Sequence, residues 1–250
     1  MSPDNRTEDE QGLDNIIHPN LPTPLYTYIF VGSIAIVFLI QCATGSALSS
    51  AIIGDDRSIR LAGFDKQAFL RHREYWRILT GACIHGGIIH FIFNSLSFLS
   101  LGRVFEVLSN HAHLSLVFLL SVIGGNVLSL IFFPGVPSIG ASGGIVGLLG
   151  YLTVYAFRRR QFVSAGFRKN LLMNIGFMLV VGLALREVVD NFGHIGGLIT
   201  GAVYGFVQIP SDEYTDPREA SPIMSFAGLV ALGIYLAACG FSILLILRVV

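Results

Sequence analysis

Long apolar runs separated by short polar stretches set the rhythm of the chain. A helix needs ~20 mainly apolar residues to cross a bilayer core, and this spacing predicts seven spans. They run over Leu25–Ala47, Thr80–Leu101, His113–Phe133, Ser142–Phe157, Leu171–Leu185, Gly193–Val207 and Ile223–Leu247. The fourth, fifth and sixth fall short of ~20 residues, which packing among neighbours or local thinning of the bilayer accommodates. Residues 48–79 break the pattern. There Arg57, Arg60, Lys66, Arg71, Arg73 and Arg77 stand among Leu61, Phe64, Phe69 and Trp76, which predicts a large loop lying partly in the headgroup layer. The expected organisation is all-α: a polar tail over 1–24, a six-helix core over 25–209, and a polar linker with a seventh helix over 210–250.

Composition agrees with this pattern. Hydrophobic residues make up 53% and charged residues only 13%, with a mean hydropathy of +0.68, where soluble domains carry about a quarter charged. The lipid bilayer is therefore an expected partner. A formal net charge of zero leaves no basic footprint for nucleic acid. Cys42, Cys83 and Cys239 form no CxxC pair, and neither a metal site nor a calcium loop is evident. The tail lacks the basic start of a signal peptide and the Arg-rich character of a transit sequence. The expected location is the plasma membrane or secretory pathway rather than the mitochondrion. Asn5-Arg6-Thr7 matches a glycosylation acceptor that matters only in a lumenal tail. The basic cluster Arg158, Arg159, Arg160, Arg168 and Lys169 makes the loop after the fourth span cytosolic, which also puts the tail inside. Against this, six of the sixteen Lys and Arg residues lie in the first loop.

Polar side chains in a bilayer are costly and call for a reason. The set within or near the spans is small: His85, His90, Asn94, Ser142, Asn174 and His194. Ser142 opens a helix, beside backbone N–H groups without intrahelical partners and at the positive end of the dipole, where developing negative charge is stabilised. His194 stands near the start of the sixth span and is suited to take a serine proton and return it to a leaving amine. Taken singly, each has a bland alternative as a cap or packing residue. Asp190, one turn before His194, reads first as a helix-end carboxylate and second as a group that orients the imidazole. Gly193, Gly197, Gly201 and Gly205 repeat at every fourth position, as do Gly143 and Gly147, so the fourth and sixth helices can approach closely. His90 and Asn94, at i and i+4, present two donors on one face. Such donors suit either an oxyanion or an interhelical clamp.

In combination these stretches resemble the rhomboid family of intramembrane serine proteases over about 76–206. The elements are Gly140-Ala141-Ser142-Gly143, His90 to Asn94, Gly193-His194, Trp76-Arg77, and Gly102-Arg103-Val104-Phe105-Glu106. The resemblance implies a Ser142–His194 dyad, oxyanion support from Asn94, His90 and the Ser142 N–H, and no metal or cofactor. It implies structural roles near the site for Gly140, Gly143, Gly193, Gly197, Trp76 and Arg77, with Glu106 stabilising the first-loop region. It also implies a cavity opening to the extracytosolic side and single-span membrane proteins as substrates. Many members carry an aromatic residue one turn after the serine, where this chain has Val146. Two competing readings are a catalytically silent relative that binds membrane clients, and a small transporter, for which the expected internal repeat is missing.

Overall fold

The computed structural model describes residues 23–44, 56–212 and 214–249. Most of the polar tail, with its Asn5 acceptor, and the stretch 45–55 after the first span lie outside them. Among the described residues there are ten helices. Helix α1 covers Leu25–Ala43. Three short helices follow in the charged loop: α2 (Asp56–Ala62), α3 (Lys66–Arg71) and α4 (Arg77–Thr80). Then come α5 (Ile88–Leu108), α6 (His111–Phe132), α7 (Ser142–Arg158), α8 (Ala165–Ala184), α9 (Asn191–Gln208) and α10 (Pro222–Leu247). Five of these, α1, α5, α6, α8 and α10, are long and apolar enough to cross a membrane, which makes the chain a polytopic helical membrane protein.

The second span departs most from expectation. It begins at Ile88 rather than Thr80 and runs on to Leu108 rather than Leu101. Its late start follows from Gly86-Gly87, where Gly87 adopts φ 147°, a backbone conformation open to glycine and strained for other residues. At the far end, Glu106 is tolerated inside the bundle because it accepts hydrogen bonds from the Thr27 N–H and hydroxyl, each at 2.7 Å. A buried carboxylate held by two donors loses less than one left bare.

The core is aromatic where α1, α5, α6 and α10 meet. Phe30 lies 5.3 Å from Phe98 and 4.8 Å from Phe118, and Phe118 meets Tyr235 edge-on at 5.0 Å. All four rings are fully buried. Next to this cluster, α9 crosses α6 and α7 on glycine. A Cβ added at Gly197 would stand 2.0 Å from the Gly143 carbonyl oxygen, and one at Gly201 would stand 1.9 Å from that of Gly147. Backbones this close leave no space for any side chain, the arrangement that small residues at every fourth position allow. By contrast α8 turns Phe177, Val180 and Leu183 outward.

The charged loop is more ordered than its mixed composition suggests. The Arg77 guanidinium is buried and donates to the carbonyls of Gly63 (2.8 Å) and Arg60 (3.0 Å) while pairing with Glu74. A two-way backbone bridge joins Phe64 to Ser138, tying this loop to the segment between α6 and α7. Helix α10 packs against α1, α2, α4 and α6. Trp76 stands edge-on to Phe241 of α10 at 5.8 Å.

Candidate active site

Ser142 is the first residue of α7. Ile145 N–H, bonded to the Ala141 carbonyl, begins the intrahelical ladder, so the N–H groups of Ser142, Gly143 and Gly144 precede it. His194 lies in the first turn of α9. The glycine crossing draws the two helix starts together, and His194 Nε2 stands 2.8 Å from Ser142 Oγ. That is hydrogen-bonding distance for a proton transfer between hydroxyl and imidazole. When Nε2 accepts, the ring carries its proton on Nδ1, which is buried and meets no protein acceptor among the described residues.

The flanking residues fall into place unevenly. Gly140 has φ 96°, and a Cβ there would lie 2.6 Å from the His90 ring. His90 is thus pressed against the turn that leads into Ser142. Its Nδ1 accepts from the Gly86 N–H at 3.3 Å, so the neutral ring keeps its proton on Nε2. Asn94, also buried, donates to the His90 carbonyl at 2.9 Å and leaves its own oxygen without a partner among the described residues. No hydrogen bond joins Asn94 to Ser142 or His194 in this conformation. Asp190 does not reach the imidazole. It caps α9 by accepting from the Gly193 N–H at 2.8 Å. Its second oxygen accepts from Ser129 at 2.5 Å and from Ser138. Val146 is buried one turn after Ser142 and offers no flat face to His194.

Glu106 lies toward the other end of α5, sixteen residues and roughly 24 Å of helix from His90, where it accepts from Thr27 at the start of α1. Asn174 likewise points away, exposed on α8.

Several residues near the site escaped the sequence reading. Gln41 of α1 clamps His85 by its backbone, accepting from the N–H at 3.0 Å and donating to the carbonyl at 3.1 Å. It was legible as a lone amide in an apolar span. Lys66 is another: it reads as one more interfacial cation, yet it is 1% exposed. Its ammonium donates to the Val136 carbonyl and to Ser138 Oγ (2.6 Å), and lies 4.0 Å from the Asp190 carboxylate. Ser138, Asp190, Asn126, Gly193, Ser142 and His194 share the lining of a cavity of about 20 Å³. It has room for a water molecule and polar partners to hold one.

Buried helices threading a bilayer, with a hydroxyl and an imidazole bonded at the crossing of the two glycine-lined ones, define a class: a polytopic membrane protein with a serine–histidine pair inside its bundle. Residues 72–211 match the Rhomboid domain, more than half of the chain, and the protein belongs to the rhomboid family. Among relatives, it is 34% identical over 179 residues to rhomboid protease GluP of Bacillus subtilis (strain 168), covering 71% of this chain and 34% of that protein. RHOMBOID-like protein 4 of Arabidopsis thaliana is 33% identical over 158 residues, 62% of this chain and 39% of the relative. Inactive rhomboid protein 1 of Papio anubis is 30% identical over 139 residues, 55% and 16% of the respective chains. The first two relatives are matched over about a third of their own length.

Proposed function

We propose that this protein is an intramembrane serine endopeptidase that cuts single-span membrane proteins in or beside their transmembrane segment. The observation that carries this reading is the 2.8 Å contact between His194 Nε2 and Ser142 Oγ. In the proposed reaction Nε2 takes the hydroxyl proton as Oγ attacks the scissile carbonyl, and the imidazolium then returns that proton to the leaving amine. Water next releases the acyl group from Ser142, with His194 again acting as base. The tetrahedral oxyanion is held by the Ser142 N–H and by His90 Nε2–H, with Asn94 turning its amide inward when substrate is present. Each such donor contributes ~3 kcal/mol to the transition state. No step requires a metal or cofactor.

The same reading takes α1, α5, α6, α7, α8 and α9 as a six-helix catalytic core over 25–209, and α10 with its linker as a separate unit over 210–250. The tail faces the cytosol and the site opens to the extracytosolic side, because Arg158, Arg159 and Arg160 lie at the opposite end of α7 from Ser142.

A second reading, a silent rhomboid relative that binds membrane clients, draws on Val146 and on the unpartnered Nδ1 of His194. One experiment separates the two. A fluorophosphonate probe should label the purified protein in detergent, and Ser142→Ala or His194→Ala should abolish both labelling and cleavage of a transmembrane substrate. Cleavage that survives Ser142→Ala would end the protease reading. A wild-type protein that captures substrate without labelling would establish the silent one.

A further inference from the structure

Of the two readings of Asp190, a helix-end carboxylate and a group that orients the imidazole, the second has no direct contact behind it. The carboxylate instead holds the start of the helix on which His194 rides. Asp190 is in turn held from outside that helix. Its Oδ2 accepts from two serine hydroxyls, Ser129 at the end of α6 and Ser138 in the segment before Ser142, and these lie 3.0 Å apart. Lys66 closes the cluster from the first loop, reaching Ser138 Oγ at 2.6 Å, the Val136 carbonyl and, at 4.0 Å, the carboxylate. The aromatic faces of Phe64 and Phe133 lie 5.6 and 5.9 Å from the ammonium. A lysine that is 1% exposed sits beside the active site and makes no contact with the dyad itself.

We infer that Lys66, buried, and Asp190, half-buried beside it, form a positioning pair that fixes the start of α9 against the segment carrying Ser142, and so sets the approach of His194 to the serine. The inference rests on the protease reading. Its physical basis is that four pieces of chain, the first loop, the end of α6, the Val136–Ser138 segment and the α9 cap, meet at these charges and the two hydroxyls. Removing the carboxylate strands the ammonium in a buried site, which is more harmful than removing both charges. A shift of about 1 Å in catalytic geometry can cost up to about a hundredfold in rate.

The test uses the full chain in detergent, with a transmembrane substrate and titration of active sites by a fluorophosphonate. Lys66→Met and Asp190→Asn should each lower kcat per titrated site by about tenfold or more, with KM nearly unchanged. The amide oxygen introduced by Asp190→Asn still accepts from the Gly193 N–H, so the cap itself survives. The double variant should fall no further than the worse single one. A merely structural role would shrink the titratable fraction and leave kcat per site as in the wild type, and that result would overturn the inference. Multiplicative losses in the double variant would also overturn it. Where neither single variant gives titratable protein, Ser138→Ala, which keeps both charges and removes the hydroxyl that joins them, decides by the same comparison. An unreactive wild type would sink the protease reading and this inference with it, whereas an active wild type with unchanged per-site rates in the variants sinks the inference alone.

Discussion

On the protease reading, Gly140 is the residue on which the oxyanion side of the site turns. Its φ of 96° and its contact with the His90 ring allow no side chain, so Gly140→Ala should push the imidazole away from the turn. The expected result is a loss of kcat comparable to His90→Ala, about a hundredfold to a thousandfold, with KM little changed. Steady-state cleavage of one transmembrane substrate by both variants checks it. Lys66 carries a second residue-scale prediction. Burial lowers its ammonium from 10.5 to about 8, against the pull of Asp190 and Asp65 in the other direction. Between about pH 8 and 10.5 the unfolded chain holds a proton that the folded one has shed, so this residue's contribution to stability rises with pH across that window. Below it both states are protonated and the slope vanishes. Thermal unfolding in detergent should show the rise in the wild type and lose it in Lys66→Met. The contrast between Ser142 and Lys66 marks what was legible from sequence. A hydroxyl and an imidazole inside apolar runs announce themselves, because lipid makes them costly. A lysine in a charged loop does not, since its burial depends on Ser138, 72 residues away, coming back to meet it.

At the scale of elements, the crossing of α7 and α9 decides the geometry. Both are short, 17 and 18 residues, or roughly 25–27 Å of helix against a hydrocarbon core of ~30 Å. Gly197→Ala and Gly201→Ala direct a methyl group at carbonyl oxygens of the facing backbone, so something in the crossing must shift. Each should destabilise by ~1–3 kcal/mol and slow cleavage. Gly233→Ala and Gly240→Ala in α10 meet open space, and should leave activity unchanged and stability equal or up to ~1 kcal/mol higher. Thermal unfolding and turnover of the four variants together form the check. If Gly201→Ala behaves like Gly240→Ala, the crossing is not what brings the dyad together. The glycine period made this contact readable in advance. The start of α5 was not, because hydropathy runs unbroken across 81–87, whereas the backbone there is set by Gly87 and by the Gln41 clamp on His85.

For the molecule as a whole, the proposed orientation puts the first loop and the basic end of α7 on opposite sides of the membrane. Gln67 and Arg160 are both exposed. A membrane-impermeant thiol reagent added to intact cells should therefore label Gln67→Cys at once and Arg160→Cys only after permeabilisation. The reverse pattern would invert the topology. The overall architecture was legible as a helical bundle because lipid leaves the backbone few alternatives. The contacts of α10 with α2, α4 and Trp76 were not, since they join segments that hydropathy treats as independent. Those contacts carry a temporal consequence. The first loop emerges from the ribosome early, yet one wall of its resting place is supplied by the last of the described helices. Until that helix is synthesised and inserted, the nascent chain holds its serine and histidine beside an unfinished loop. On the protease reading, competence to cut then waits for that helix to take its place against the first loop.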